Sequence, residues 1–209
     1  MSLFLGKIHY WLYNKILWFE RIEEDLIQWA KTEELPVEEW KKQGIQKYGS
    51  PTGGRPLEEI IDTSNIHGWL QAQIESAELR QAALVTAILK ENPGFKESLT
   101  EIFKKQGEAA AREYDNIPDT PEDVYSALND FILEGMPCDR VNEVVSSDDK
   151  EFVWQTTECL HKPYWDQVRG DVGNFYDLRE AWVKAFVETM NPQFSYEKSA
   201  DGMHSIAVR

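Results

Sequence analysis

Only two cysteines, Cys138 and Cys159, and only four histidines occur in the 209 residues. Two thiols cannot build the disulfide framework that stabilises small secreted domains. With no secretory leader legible at the start, a cytoplasmic location is expected. Zinc sites announce themselves as C-x₂₋₄-C or H-x₃₋₅-H pairs, and none is present. The one close pair, Cys159-x-His161, is too tight for the usual chelate, so neither a metal nor a cofactor is expected. Glycine-rich phosphate loops, G-x-S-x-G and H-E-x-x-H are also missing, which removes the commonest nucleotide, esterase and zinc-protease readings.

Positive charge is scarce. Lys and Arg number 22 against 37 Asp and Glu, a net charge of −15. Such a chain repels phosphate backbones and anionic lipid, so no nucleic-acid and no membrane partner is expected. Long apolar runs are lacking too: the opening "MSLFLGKIHYWLYNKILWF" is interrupted by Lys7, His9, Asn14 and Lys15. It is too polar for a membrane span.

What is present is a core. Apolar residues make up 42% and aromatics 12%, with 8 Trp, the profile of a folded globular chain. The length suits a single domain over 1–209. Its parts read as an N-terminal helical extension (1–55), a helical layer (56–135) and a sheet half (136–209). Apolar positions Phe4, Ile8, Trp11, Leu12, Phe19, Ile22, Leu26 and Trp29 recur at three and four, predicting a first helix from Phe4 to about Lys31. A short helix follows Pro36. From Pro56 a long helical run extends to "NPG", with a break expected at "DTSNIHG", where Asp62, Ser64 and Asn65 are capping residues. Two more helices are predicted over "FKESLTEIFKKQGEAAAREYD" and "TPEDVYSALNDFILEG". "ESAELR" within the long run reads as a solvated face with helical ion pairs.

After Gly135 the period becomes two. "RVNEVVSSDDKEFVWQTTECL" predicts a hairpin around "SSDD", with Phe152 and Trp154 on the core side. "NFYDLREAWVKAFVETM" is an amphipathic helix, and Asp201-Gly202 marks a closing hairpin. The fold class is α+β: a helical layer packed on a four-stranded antiparallel sheet in the order ββαββ.

The candidate chemistry clusters in "TTECLHKPYWDQ". A Cys nucleophile needs a base nearby, and on an extended segment Cys159 and His161 share one face. Cys159 as nucleophile and His161 as its base are the catalytic candidates; His67, Trp154, Tyr164 and Trp165 are the ligand-binding ones. His204, beside the last turn, is expected to face solvent. The plainer alternative makes Cys159 a small buried hydrophobe at a strand end, with Tyr164 and Trp165 filling the core behind Pro163.

"FVWQTTECLHKPYW", a helix, and then "NPQFSYEKSADGMHSIAVR" resemble the closing half of proteins related to L-2-amino-thiazoline-4-carboxylic acid hydrolase. They are also similar to the wider group of 4-vinyl-reductase-like small-molecule-binding domains. Cys159, Asn191-Pro192 and Gly202 carry the resemblance, over about the last quarter of the chain. Where that family has further cysteines, this chain has Ala181 to Ala185 and His204 to Ser205. The resemblance implies a pocket for a small organic ligand with Cys159 at its wall, and hydrolysis of a cyclic C–N bond. The alternative class is a non-catalytic ligand sensor, or a helical dimerisation protein working through the first helix.

Tyr10, Trp11, Tyr13, Trp18 and Phe19 lie around more than one face of that first helix, more than one core stripe consumes. A homodimer is therefore expected. Sedimentation at micromolar concentration should report twice the 24.3 kDa of one chain, and a monomer mass would contradict it.

Overall fold

A computed structural model describes residues 5–209; Phe4, the expected start of the first helix, lies outside them. The fold is α+β, with helices preceding a four-stranded antiparallel sheet in the C-terminal part. The chain forms two compact units interleaved in sequence. Residues up to Phe95, Ile132–Cys138 and His161–Val172 make a helical unit; Lys96–Phe131, Asp139–Leu160 and Gly173–Arg209 make a unit that contains the sheet. Among the described residues no helix is long and apolar enough to cross a membrane.

The helical unit begins with α1 (Lys7–Thr32), α2 (Val37–Tyr48), a single turn α3 (Leu57–Ile60) and α4 (Ile66–Glu91). Leu12, Ile16, Phe19, Leu26 and Ala30 form the buried stripe of α1 at the expected spacing. Of the aromatics around it, Tyr13, Trp18 and Phe19 are buried, Trp11 is half-buried and Tyr10 is exposed; Ile8, expected in the stripe, is exposed as well. The break at "DTSNIHG" is present: Asn65 Oδ1 accepts from the Gly68 N–H at 3.2 Å and starts α4. α1, α2 and the short α7 (Lys162–Gln167) all pack on α4. α4 therefore buries residues on most of its sides, from Ile66 through Ala77 and Ala82 to Ile88. Such a helix has no clear polar face, and its periodicity is weak for that reason.

The second unit comprises α5 (Lys96–Arg112), α6 (Pro121–Asn129), β1 (Asn142–Ser147), β2 (Glu151–Thr156), α8 (Val172–Met190), β3 (Phe194–Lys198) and β4 (Met203–Val208). The strands order as β1-β2-β4-β3, each pair antiparallel. Thr120 caps α6 by accepting from the Asp123 N–H at 3.1 Å. α6 ends at Asn129, short of the expected Gly135, and Phe131, Ile132 and Leu133 are buried without being helical. Their apolar spacing had read as another helical turn. Phe152 and Trp154 are buried as expected, and Tyr125 of α6 lies over both, with ring centroids 4.4 and 4.8 Å away.

α5 and α8 approach closely through Gly107, where an added Cβ would collide with the Trp182 carbonyl oxygen. Beside it Trp182 Nε1 donates to Gln106 Oε1 at 2.8 Å. The obstacle is backbone, which cannot swing aside. Gly107→Ala should lower stability by about 1–3 kcal/mol, read as an earlier midpoint in chemical denaturation.

Candidate functional site

β2 ends at Thr156, so Cys159 lies beyond the strand, half-buried, and the alternation expected to carry through Cys159 and His161 stops before them. Neither Cys159 nor Cys138 is in a disulfide. Trp154, in the same unit, is a core residue at 4% exposure. Its ring stacks on His204 at 5.1 Å, and the His204 Nδ1 lies 2.7 Å from the Tyr196 hydroxyl. His204 is thus half-buried and bonded rather than solvent-facing, because β4 runs between β2 and β3.

His161, Tyr164, Trp165 and His67 belong to the helical unit. His161 has helical dihedrals, φ −83° and ψ −33°, not the extended geometry expected ahead of Pro163. Its carbonyl accepts from the Tyr164 and Trp165 N–H groups at 3.0 and 3.2 Å and so opens α7. Pro163 then sits in a first turn, where a missing N–H leaves no bond unmade. Trp165 is fully buried and Tyr164 half-buried. His67 was expected to border the core; it is exposed, because the Asn65 cap places it in the first turn of α4.

The His161 ring is 2% exposed and held at both nitrogens: Nδ1 lies 2.8 Å from Glu78 Oε1 and Nε2 3.1 Å from Glu134 Oε2. Burial alone would push the ring towards neutrality. The two carboxylates outweigh it and raise its pKa to about 10. At neutral pH the ring is an imidazolium donating both protons, with no lone pair to offer. It is a clamp between the carboxylates of Glu78 and Glu134.

A second buried charge cluster went unrecognised in the sequence. "ESAELR" is not a solvated face: Arg80 is 2% exposed, with Glu78 and Ser76 buried beside it. The Arg80 Nε donates to Glu23 at 2.9 and 3.1 Å, and Nη2 to Glu20 at 2.9 Å. Nη1 donates to the Ser76 hydroxyl at 2.5 Å and to the Gly49 carbonyl at 3.2 Å. Gly49 closes α2 at φ 98°, a conformation suited to glycine, and that turn delivers its carbonyl to the guanidinium. Glu20 is further fixed by the Thr52 N–H and hydroxyl, at 2.5 to 3.1 Å. One signal of Arg80's burial was available: no charged residue occurs between it and Lys90.

Beside this cluster the helical unit has a cavity of about 320 Å³. Leu17, Ile27, Ile45 and Pro51 form apolar wall; Glu20, Glu23, Glu24, Arg21 and Lys41 add charge. Lys41 pairs with Glu24 at 3.5 Å, and Arg21 lies over the Trp18 ring at 4.4 Å. Glu23 is held above the usual carboxylate range, first by burial, which Arg80 only partly offsets; the Glu20 charge adds to the rise. Among the described residues no group of three His, Cys, Asp or Glu side chains is arranged to hold a metal ion. No family model, curated protein or solved structure matches the chain.

The His161 clamp sets a pH dependence. Its folded pKa is raised, so its contribution is complete below 6.5 and is lost as pH climbs through about 10. His161→Leu should remove this alkaline loss. At pH 7 it should lower stability by about 3–5 kcal/mol, because Glu78 is left buried without its counter-charge. Denaturant titrations at pH 7 and pH 10 on both proteins measure the two effects.

Proposed function

We propose that the protein binds a small organic cation, an ammonium or guanidinium on a compact apolar body, in the cavity beside α1 and α2. What supports this reading is the buried carboxylate of Glu23 at the wall. Glu20 and Glu23 share the guanidinium of Arg80, Lys41 pairs with Glu24, and burial holds Glu23 raised although Arg80 and Lys41 both oppose it. A ligand cation beside Glu23 would favour its ionised form, in a partly desolvated site where ion pairing is stronger than in water. Leu17, Ile27, Ile45 and Pro51 would take the apolar part. The volume lies at the low end of the roughly 300–1,000 Å³ of small-ligand sites.

Binding, not hydrolysis, is the activity proposed. Cleavage of a cyclic C–N bond by Cys159, implied by the resemblance of the C-terminal quarter, requires a base to generate the thiolate. In this reading the His161 ring serves Glu78 and Glu134, which favours binding over that chemistry.

Three probes with one apolar body test the reading: 2-phenylethylamine, 2-phenylethanol and 3-phenylpropionate, titrated calorimetrically. The amine should bind at least ten times more tightly than the alcohol, with the acid weakest. Glu23→Gln should reduce amine affinity about tenfold, or roughly 1.4 kcal/mol, and leave the alcohol unchanged. Amine affinity should also fall as pH drops through the raised Glu23 pKa, since the cation binds the ionised carboxylate. Equal affinity for all three probes would refute the charge argument.

A further inference from the structure

α1 opens on a hydrogen bond that only an unprotonated histidine nitrogen can make. Gly6 is the cap residue, and its N–H donates to the His9 Nδ1 at 2.9 Å. In return the His9 N–H donates to the Gly6 carbonyl at 3.0 Å. This is one half of a capping box, with histidine at the third helical position in place of the usual Glu or Gln and the Gly6 carbonyl, not a side chain, taking the return bond. Because Nδ1 accepts, the proton of the neutral ring resides on Nε2.

Three features oppose a second proton on that ring. His9 is buried, at 8% exposure. The His67 ring, in the first turn of α4, lies against it with centroids 5.6 Å apart. Each ring also sits at a helix N-terminus, where unpaired N–H groups concentrate partial positive charge. α4 is the helix packed against α1 here, and the charge that acts on His9 across this contact is that of His67. Burial first, and the His67 charge second, hold His9 below its ordinary pKa of 6.5.

Acid reverses the hydrogen bond. A proton on Nδ1 turns the acceptor into a donor facing the Gly6 N–H, so attraction becomes repulsion. Two imidazolium rings then face each other at two positive helix ends. We propose that His9, packed against His67, forms an acid-released latch: with His9 neutral, its ring fastens Gly6 to α1, and protonation of His9 frees the first turn of the helix. The capping contribution is therefore whole above 6.5 and declines as pH falls from there to the lower folded value. The latch is independent of the cavity beside α2, since neither histidine lines it.

The test is an NMR titration of the full chain from pH 8 to pH 4.5. It follows the Gly6 amide and the His9 ring, with amide exchange corrected for its intrinsic pH dependence. The Gly6 amide should shift with the same midpoint as the His9 ring and lose at least tenfold protection below it. His67→Asn removes the opposing charge from an exposed position and should move that shared midpoint to higher pH. His9→Gln keeps an acceptor at the third helical position and should leave Gly6 protected throughout, with no transition. A Gly6 amide that titrates independently of His9 overturns the latch. A midpoint unmoved by His67→Asn overturns the role of the pair.

Discussion

Arg80 has N–H donors on three nitrogens and uses all three: on Glu20 and Glu23 of α1, on the Gly49 carbonyl that ends α2, and on Ser76 of its own helix. Elements distant along the chain are thereby tied to one planar group. The planarity matters, because a guanidinium fixes the direction of each bond as well as its length. Leaving any of these acceptors unpaired in the interior would be expensive, and the carboxylates most of all. The approach of α1 and α2 to α4 is therefore set by a charge as well as by apolar packing. The cavity that Glu20 and Glu23 line inherits its shape and its electrostatics from that arrangement.

α4 carries a second buried charge two residues earlier. Glu78 meets His161 at the start of α7, and Glu134 closes the ring's other side. Both clusters use α4 as a rigid carrier and recruit partners far away in sequence. They share a pattern, one cation between two carboxylates, and differ in surroundings. At the clamp, Glu78 Oε2 has no hydrogen-bond partner among the described residues. At Arg80 the carboxylates border a cavity, and that makes only the Arg80 cluster a binding site in our reading.

Cys159 and His161, two apart, read as a nucleophile and its base because on a strand such residues share one face. That pairing assumed a strand running through both residues. The strand ends at Thr156, the His161 backbone is helical, and the imidazole is bound to carboxylates from two other segments. Local spacing described which side chains would share a face of a strand, but no strand was there to share.

Elements with a clean period were legible in the sequence alone: the stripe of α1, the break at Asn65, both hairpins, α8, and the burial of Phe152 and Trp154. Their signals are local, arising from side-chain alternation, helical recurrence and capping chemistry, and they survive packing because one face of each element is polar. The α+β class followed from their order. The interior charges were decided only by tertiary structure. A helix buried on most sides has no polar face to betray its orientation, so Arg80 and Glu78 looked like ordinary surface residues, and His67 like a core one. Whether a charged side chain belongs to solvent or to the interior depends on finding its partner. The partners of Arg80 and His161 lie 57 and 83 positions away, at Glu23 and Glu78, beyond the reach of any periodicity.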